Sequence, residues 1–406
     1  MKKNSRRNFI RNSTGFLAGG IFNFNMLHER ANLTLKPGRN KLLTRKLGKT
    51  GIEVPVVSMG VMNADNPNLV KEAWNRGIRH FDTAWYYQRG NNERMIGKAL
   101  KELKVNREDV IIATKILLGN GAQDVPEGRE AKELFLERFQ ESLDRLQMDY
   151  IDILYYHSVF TLEQINNPYI LEAFTELKEG GKIKATGFSS HANWPDLVKD
   201  ATDKGFYDVL LLSYNYSMHQ NEESLAALQY AHEKGVGLIA MKTQCQQSWY
   251  KSVLPADMQK FYEGKIMHTA LLKWVMQHEM FATSVPGFTT FQQLDEDMQV
   301  AISLDYTEEE KEFLTNQQVL AAIDSNCRFC GKCVPSCPNT VDIPSLMRIH
   351  MYAASYGNVF MAGITNKEIP AGKGLDACAV CRECVAGCVN SVPLASRIEE
   401  LKYQVI

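Results

Sequence analysis

Gly77-Ile78-Arg79-His80-Phe81-Asp82, continuing as Thr83-Ala84-Trp85-Tyr86-Tyr87, is the stretch whose reading decides the fold. Ile78–Asp82 has the length and character of a buried strand that ends on a carboxylate, and Gly77 sits where a preceding helix must stop. An amphipathic segment, Glu93–Leu103, follows it. The same alternation recurs from about Arg45 to Leu304. Strand-like runs fall at Val56–Gly60, Ile78–Asp82, Val110–Lys115, Ile151–His157, Ile183–Gly187, Val209–Ser213, Val236–Met241 and Phe281–Pro286. Helical stretches such as Ala131–Leu146, Ile170–Glu179, Ser224–Lys234 and His268–Gln277 lie between them, with Gly181, Gly205 and Gly235 as stops. Eight strand–helix units predict an α/β fold, a (β/α)8 TIM barrel over residues 40–320. A doubly wound sheet is the alternative, weakened because no Gly-x-Gly-x-x-Gly follows the first strand.

In such a barrel the chemistry sits at the C-terminal ends of the strands. Asp82 ends the second run, Lys115 the third and His157 the fourth, and Ser189 follows the fifth; the steps of 33, 42 and 32 residues are one unit each. Any one of these alone reads as a cap or a solvated loop residue. Delivered to one rim by successive units, they read as a site.

At these residues the chain resembles the aldo-keto reductase family. Gly77 to Tyr87, then Asn92-Glu93 and Ile96-Gly97-Lys98-Ala99-Leu100, look like its first fingerprint. Ala113-Thr114-Lys115, Tyr150-Ile151-Asp152, Tyr155-Tyr156-His157, Leu47-Gly48-Lys49-Thr50-Gly51 and Gly187-Phe188-Ser189 fit as well. The resemblance implies an oxidoreductase that interconverts a carbonyl and an alcohol with NAD(P)H. In it Tyr87 is the acid/base, selected over Tyr86 by its spacing from Asp82. Lys115 is expected to lower the Tyr87 pKa, Asp82 to hold Lys115 charged, and His157 to orient the carbonyl oxygen. Trp85 and Tyr86 line the pocket or simply pack. A non-catalytic nucleotide-binding barrel, acting as a sensor or assembly subunit, is the alternative.

The positions that would hold the cofactor depart from the family's pattern. Ser189-Ser190 stands for its Ser-Asn pair, Leu211 for its Gln, and Met241-Lys242 for its stacking Tyr. Gly287 and Gln293 stand where basic residues meet the 2′-phosphate, which weakens the preference for NADP over NAD.

Eight of the nine cysteines crowd into the last 80 residues. They form two runs, Cys327-x2-Cys330-x2-Cys333-x3-Cys337 and Cys378-x2-Cys381-x2-Cys384-x3-Cys388. Zinc sites use two pairs with a long spacer, and disulfide frameworks belong to small secreted chains; neither suits a threefold x2 run. The spacing resembles the bacterial two-cluster ferredoxin run, which implies two [4Fe-4S] clusters with crossed ligation: Cys327, Cys330, Cys333 and Cys388 on one, Cys378, Cys381, Cys384 and Cys337 on the other. Residues 321–406 are therefore expected to form a small, mainly helical ferredoxin-like domain, with a helix from Asp342-Ile343-Pro344 to about Ala354. The clusters either relay electrons from a protein partner or staple a lid over the rim. The ninth thiol, Cys245, reads as half-buried and inert.

Composition bounds the rest. The 406 residues are 45% hydrophobic and 23% charged, with a net charge of −1, an ordinary globular balance that offers nothing to nucleic acid. No apolar stretch approaches the length of a membrane span. The N-terminal Ser5-Arg6-Arg7-Asn8-Phe9-Ile10-Arg11 resembles a twin-arginine export signal, within a signal-like segment over 1–35. A basic tail is the plainer reading. Because iron–sulfur centres are assembled inside the cell, a route that carries folded cargo suits this chain, and the expected destination is the periplasm, with the cytoplasm as the alternative.

Overall fold

The computed structural model describes residues 41–119, 126–191, 194–219, 221–244, 267–317, 319–320, 326–381 and 383–404. The signal-like segment 1–35 and Cys245 lie outside the described residues.

An antiparallel hairpin of β1 (Thr44–Lys46) and β2 (Glu53–Pro55) comes first. The sequence reading did not anticipate it, because three-residue strands carry no periodic signal. The hairpin plugs the barrel: Leu47 is fully buried among Ala113, Ile153, Val209 and Ile239. Gly48 in its turn has φ 52°, and a Cβ there would sit 2.4 Å from the Gly237 nitrogen, so only glycine allows this approach.

Eight parallel strands then follow in order around one sheet: β3 (Met59–Gly60), β4 (His80–Asp82), β5 (Ile111–Ile116), β6 (Ile151–Tyr156), β7 (Ile183–Ser190), β8 (Val209–Ser213), β9 (Gly237–Met241) and β10 (Phe281–Ser284). A parallel bridge between Val57 and Ser284 joins the two edges. The Ser58 N–H donates to the Ser284 carbonyl at 2.9 Å beside it, and the (β/α)8 barrel is closed. Parallel strands with helices outside and a packed interior are covered on both faces, and β6 and β8 are buried at every residue. That is why they stood out in the sequence as continuous apolar runs. Helices Asn91–Glu102, Gly128–Leu146, Pro168–Glu179, Glu222–Glu233 and His268–Met276 fall where the pattern placed them. The strand β7 runs three residues past its expected end at Gly187, so Ser189 and Ser190 belong to the sheet.

Beyond the barrel, helices Ile343–His350, Val359–Lys367 and Leu394–Gln404 frame the two cysteine runs. Asp342 caps the first of these by accepting from Ser345 N–H. The expected continuation to Ala354 differs in form: the α-helix ends at His350 and a π-turn, Met351–Ser355, follows. This region shares one apolar core with the barrel rim, in which Leu346, Ile349, Leu401, Phe329 and Cys333 pack in the same cluster as Tyr86, Tyr87 and Leu117.

Candidate active site

Asp82 at the end of β4 and Lys115 on β5 form a buried ion pair, their side chains 5% and 1% exposed. The Lys115 ammonium also donates to the Thr83 carbonyl at 2.6 Å, so it is fixed from two sides. It lies 5.0 Å from the centroid of the Tyr87 ring. Burial weakens the ionised form of both partners, raising Asp82 and lowering Lys115, while their mutual attraction opposes each shift. Tyr87 opens a short 3-10 turn, Tyr87–Gly90, in which Gln88 and Arg89 hold left-handed φ of 50° and 58°. Two consecutive non-glycine residues in that region mark backbone held against its preference at the rim.

Tyr87 departs from expectation in one respect. Burial and then the Asp82 charge push its phenol well above the ordinary value, so in the closed site it keeps its proton. His157 follows β6 and is neutral, its pKa driven down by burial and then by Lys115, Arg348 and Lys242. Its Nε2 meets the Tyr86 hydroxyl at 3.4 Å, and its ring centroid lies 5.1 Å from that of Tyr86 and 6.1 Å from that of Tyr87. The two tyrosines thus divide the neighbours: Tyr87 faces the lysine and Tyr86 the imidazole. Trp85 turns outward, its Nε1 donating to Glu141 at 2.7 Å.

Asp82, Tyr87 and Lys115 open onto a cavity of about 960 Å³, near the top of the range for small-molecule sites. Met241, Lys242 and Gly287 line the same cavity. Ser189, Ser190 and Leu211 are not among its lining residues. Leu211 sits inside the barrel, in the core cluster that holds Met241. Ser189 Oγ accepts from Ser158 N–H at 3.0 Å, and Ser190 Oγ donates to the Val159 carbonyl at 2.7 Å. Strand alternation points Ser189 and Ser190 to opposite faces. His191, one step on, does reach the cavity, and its buried Nδ1 has no hydrogen-bond partner. Gln293, a candidate for the phosphate end, is engaged as the N3 residue of a capping box with Thr290.

A lid over the rim was one expectation for the C-terminal region, but nothing in the sequence told which of its residues would form the cavity's roof. Tyr352, Tyr356, Asn358, Val359, Phe360 and Met361 of the C-terminal region close it. Asn358 donates to Asn63 at 2.7 Å, Lys242 donates to the Tyr352 hydroxyl at 2.9 Å, and Arg348 pairs with Glu368 while its Nη1 donates to Ser158 at 3.2 Å. Arg348 and Tyr352 are four residues apart on one face of the helix and its π-turn, a spacing visible in the sequence, but the barrel residues they would meet were not.

All eight C-terminal cysteines are free thiols. Among the described residues no three His, Cys, Asp or Glu side chains are placed to share a single metal ion. The grouping of the sulfurs suits cubes. Burial is the main force raising Cys327, and its charged neighbours are Cys333, Cys330 and Cys388. For Cys378, after burial, the thiol neighbours are Cys337, Cys384 and Cys381. Backbone and amide N–H groups already point at sulfur: Phe329 N to Cys327 at 3.4 Å, Asn390 N to Cys388 at 3.4 Å and Asn339 Nδ2 to Cys381 at 3.3 Å. Such donors are what a cluster's thiolates require.

The sequence profile of the aldo/keto reductase family matches residues 59–261, half of the chain and all of the catalytic candidates. The chain belongs to the aldo/keto reductase family. A second profile, that of a 4Fe-4S dicluster domain, matches residues 308–392 of the chain. Its barrel is similar to L-galactose dehydrogenase of Arabidopsis thaliana, 29% identical over 308 residues that cover 69% of this chain and 94% of that protein. A putative voltage-gated potassium channel subunit beta of Schizosaccharomyces pombe is 32% identical over 154 residues, covering 36% of this chain and 44% of its own length. Among solved structures, the aldo-keto reductase AKR11C1 of Bacillus halodurans superposes with a TM-score of 0.55 at 25% identity, covering 69% of this chain and all of that one.

Proposed function

We propose that the protein reduces a carbonyl compound with a nicotinamide cofactor and that Tyr87 is the proton donor. The observation that carries this reading is the convergence of Asp82, Tyr87 and Lys115 on one cavity large enough for cofactor and substrate together. The cofactor fits the donor set: Met241 and Gly287 flank the cavity, a Cβ at Gly287 would meet only the Gly60 carbonyl oxygen at 3.7 Å, and His191 offers an unpartnered buried nitrogen. When bound, the nicotinamide supplies the hydride. Everything else falls to the chain. Tyr87, kept protonated by burial and by Asp82, gives its proton to the carbonyl oxygen as charge develops there. Lys115, clamped by Asp82 and the Thr83 carbonyl, steadies the phenolate left behind. Gly287 and the engaged Gln293 put no cation at the 2′-phosphate positions, which favours NADH.

The thiol runs hold two [4Fe-4S] clusters in this reading and exchange electrons with a protein partner. Two supports stand behind a relay: the shared core joins Cys333 to Tyr86 and Tyr87 without a break, and two one-electron centres match the two electrons of a hydride. The twin-arginine-like N-terminus would direct the folded, cluster-loaded protein to the periplasm.

The test is NADH oxidation driven by simple aldehydes in Tyr87→Phe. A loss of at least about 100-fold is expected, the low end of general-acid contributions. A rate equal to wild type removes the assignment.

A further inference from the structure

Charge around His157 and His191 is unequal. Lys115, Lys242 and Arg348 all act on both rings, and two carboxylates answer them: Asp82 holds Lys115 and Glu368 holds Arg348. Lys242 is left over. Among the described residues it forms no ion pair; its Nζ donates to the neutral Tyr352 hydroxyl at 2.9 Å and stands 4.6 Å from that ring's centroid. A partly buried ammonium beside two other cations, drawn by a single carboxylate, Glu368, that Arg348 already holds, stands at a place that can take an anion.

Where that place lies narrows what the anion can be. Lys242 directly follows β9, and its charge is the foremost one acting on His191 and one of three acting on His157. It is therefore at the catalytic end, with Tyr87 and Lys115. The backbone on both sides is irregular at this point. Lys242 is held at φ 58°, in the left-handed region, and Tyr352 rides on the π-turn Met351–Ser355 that interrupts its helix. Strained residues and π-turns persist where the surroundings over-determine them, most often at functional sites. Here both meet in one hydrogen bond on the lining of the cavity.

We propose that Lys242, oriented by Tyr352, receives a carboxylate carried by the substrate, so that this protein acts on carbonyl compounds bearing an anionic group. The proposal rests on the reductase reading given above, and it makes the cluster-bearing region part of the substrate site. Lys242 touches the substrate; Tyr352 is a positioning residue that acts through it.

The experiment measures kcat/KM for 4-oxobutanoate and for butanal in wild type, Lys242→Met, Lys242→Arg and Tyr352→Phe. Succinate, which cannot react, is titrated calorimetrically into the same cluster-loaded proteins, and NADH and NADPH affinities are measured in parallel. The ratio of the two kcat/KM values falls about 10- to 100-fold in Lys242→Met, the worth of one charge-assisted hydrogen bond. It recovers in part in Lys242→Arg, and succinate binding weakens by the same factor. In Tyr352→Phe the change appears in KM for 4-oxobutanoate rather than in kcat. An unchanged ratio overturns the proposal. So does a fall in NADH or NADPH affinity with no succinate binding, since the anion would then be a cofactor phosphate. If wild type turns over neither aldehyde, the reductase reading fails by itself. Succinate binding that is lost in Lys242→Met would still sustain the anion site, and no binding in wild type would remove it.

Discussion

Replacing Arg348 by Met tests how the roof is held on the barrel. Arg348 and Glu368 are 2% and 8% exposed, and their pair sits against Ser158 on the barrel side, which donates to Glu368 Oε2 at 3.3 Å. Removing one member of a buried pair leaves the other charged and dry, at a cost of about 3–5 kcal/mol. Spent on docking, that is roughly 150- to 4000-fold in the closed population. A chain with two regions does not melt in a single step, so hydrogen exchange is the better assay. Amides of helices Ile343–His350 and Val359–Lys367 should lose protection by that factor while β6 and β8 keep theirs. The pH dependence has a definite sign. Burial, its main cause, already raises Glu368, and losing Arg348 raises it further. The native state then binds the proton more tightly than the unfolded one, so the deficit is absent below the unfolded value near 4.3 and grows as pH rises through the folded one. Arg348→Met with Glu368→Leu removes both charges and should restore most of the protection. If the single variant stays within about threefold of wild type, the pair does not hold the roof.

Burial, followed by the Arg348 and Lys115 charges, brings Lys242 down to about 7, against an unfolded value near 10.4. Below pH 7 it is charged in both states and its penalty is constant; above, the native state sheds the proton first. Stability of the wild type relative to Lys242→Met should therefore climb between about pH 7 and pH 10, and a flat difference in urea midpoints would contradict this. Gly97→Ala would place a Cβ 2.4 Å from the Leu146 carbonyl, where helix Asn91–Glu102 presses on the end of Gly128–Leu146; calorimetry should find a loss of about 1–3 kcal/mol. Cys388→Ser should reduce bound iron to about half and spare the cluster of the second run, because ligation crosses between runs; spectra that lose the other cluster would reverse the pairing. Tyr86→Phe removes only a long contact to His157 and should slow aldehyde reduction far less than Tyr87→Phe; equal losses would mean the two phenols act together.

The barrel was legible because its strands are covered on both faces. Ile151–Tyr156 and Val209–Ser213 have no solvent side to interrupt the apolar run, so their sequence announces them. The hairpin Thr44–Lys46 and Glu53–Pro55 was illegible for the opposite reason: strands of three residues have no period to read. The candidate site divides in the same way. Asp82, Lys115 and His157 were found as strand ends one unit apart. Their neighbours from the C-terminal region were not, since nothing local to Tyr352 or Arg348 tells which surface they will meet.

By itself the sequence determined the barrel, the thiol spacing and the set of groups at the rim, because strand period, loop length and cysteine intervals are local properties of the chain. Tertiary structure alone decided which residues of the cluster-bearing region close the cavity, that Tyr87 keeps its proton and that Lys242 forms no ion pair among the described residues. Burial and the sum of neighbouring charges set those outcomes, and both draw on segments that only folding brings together.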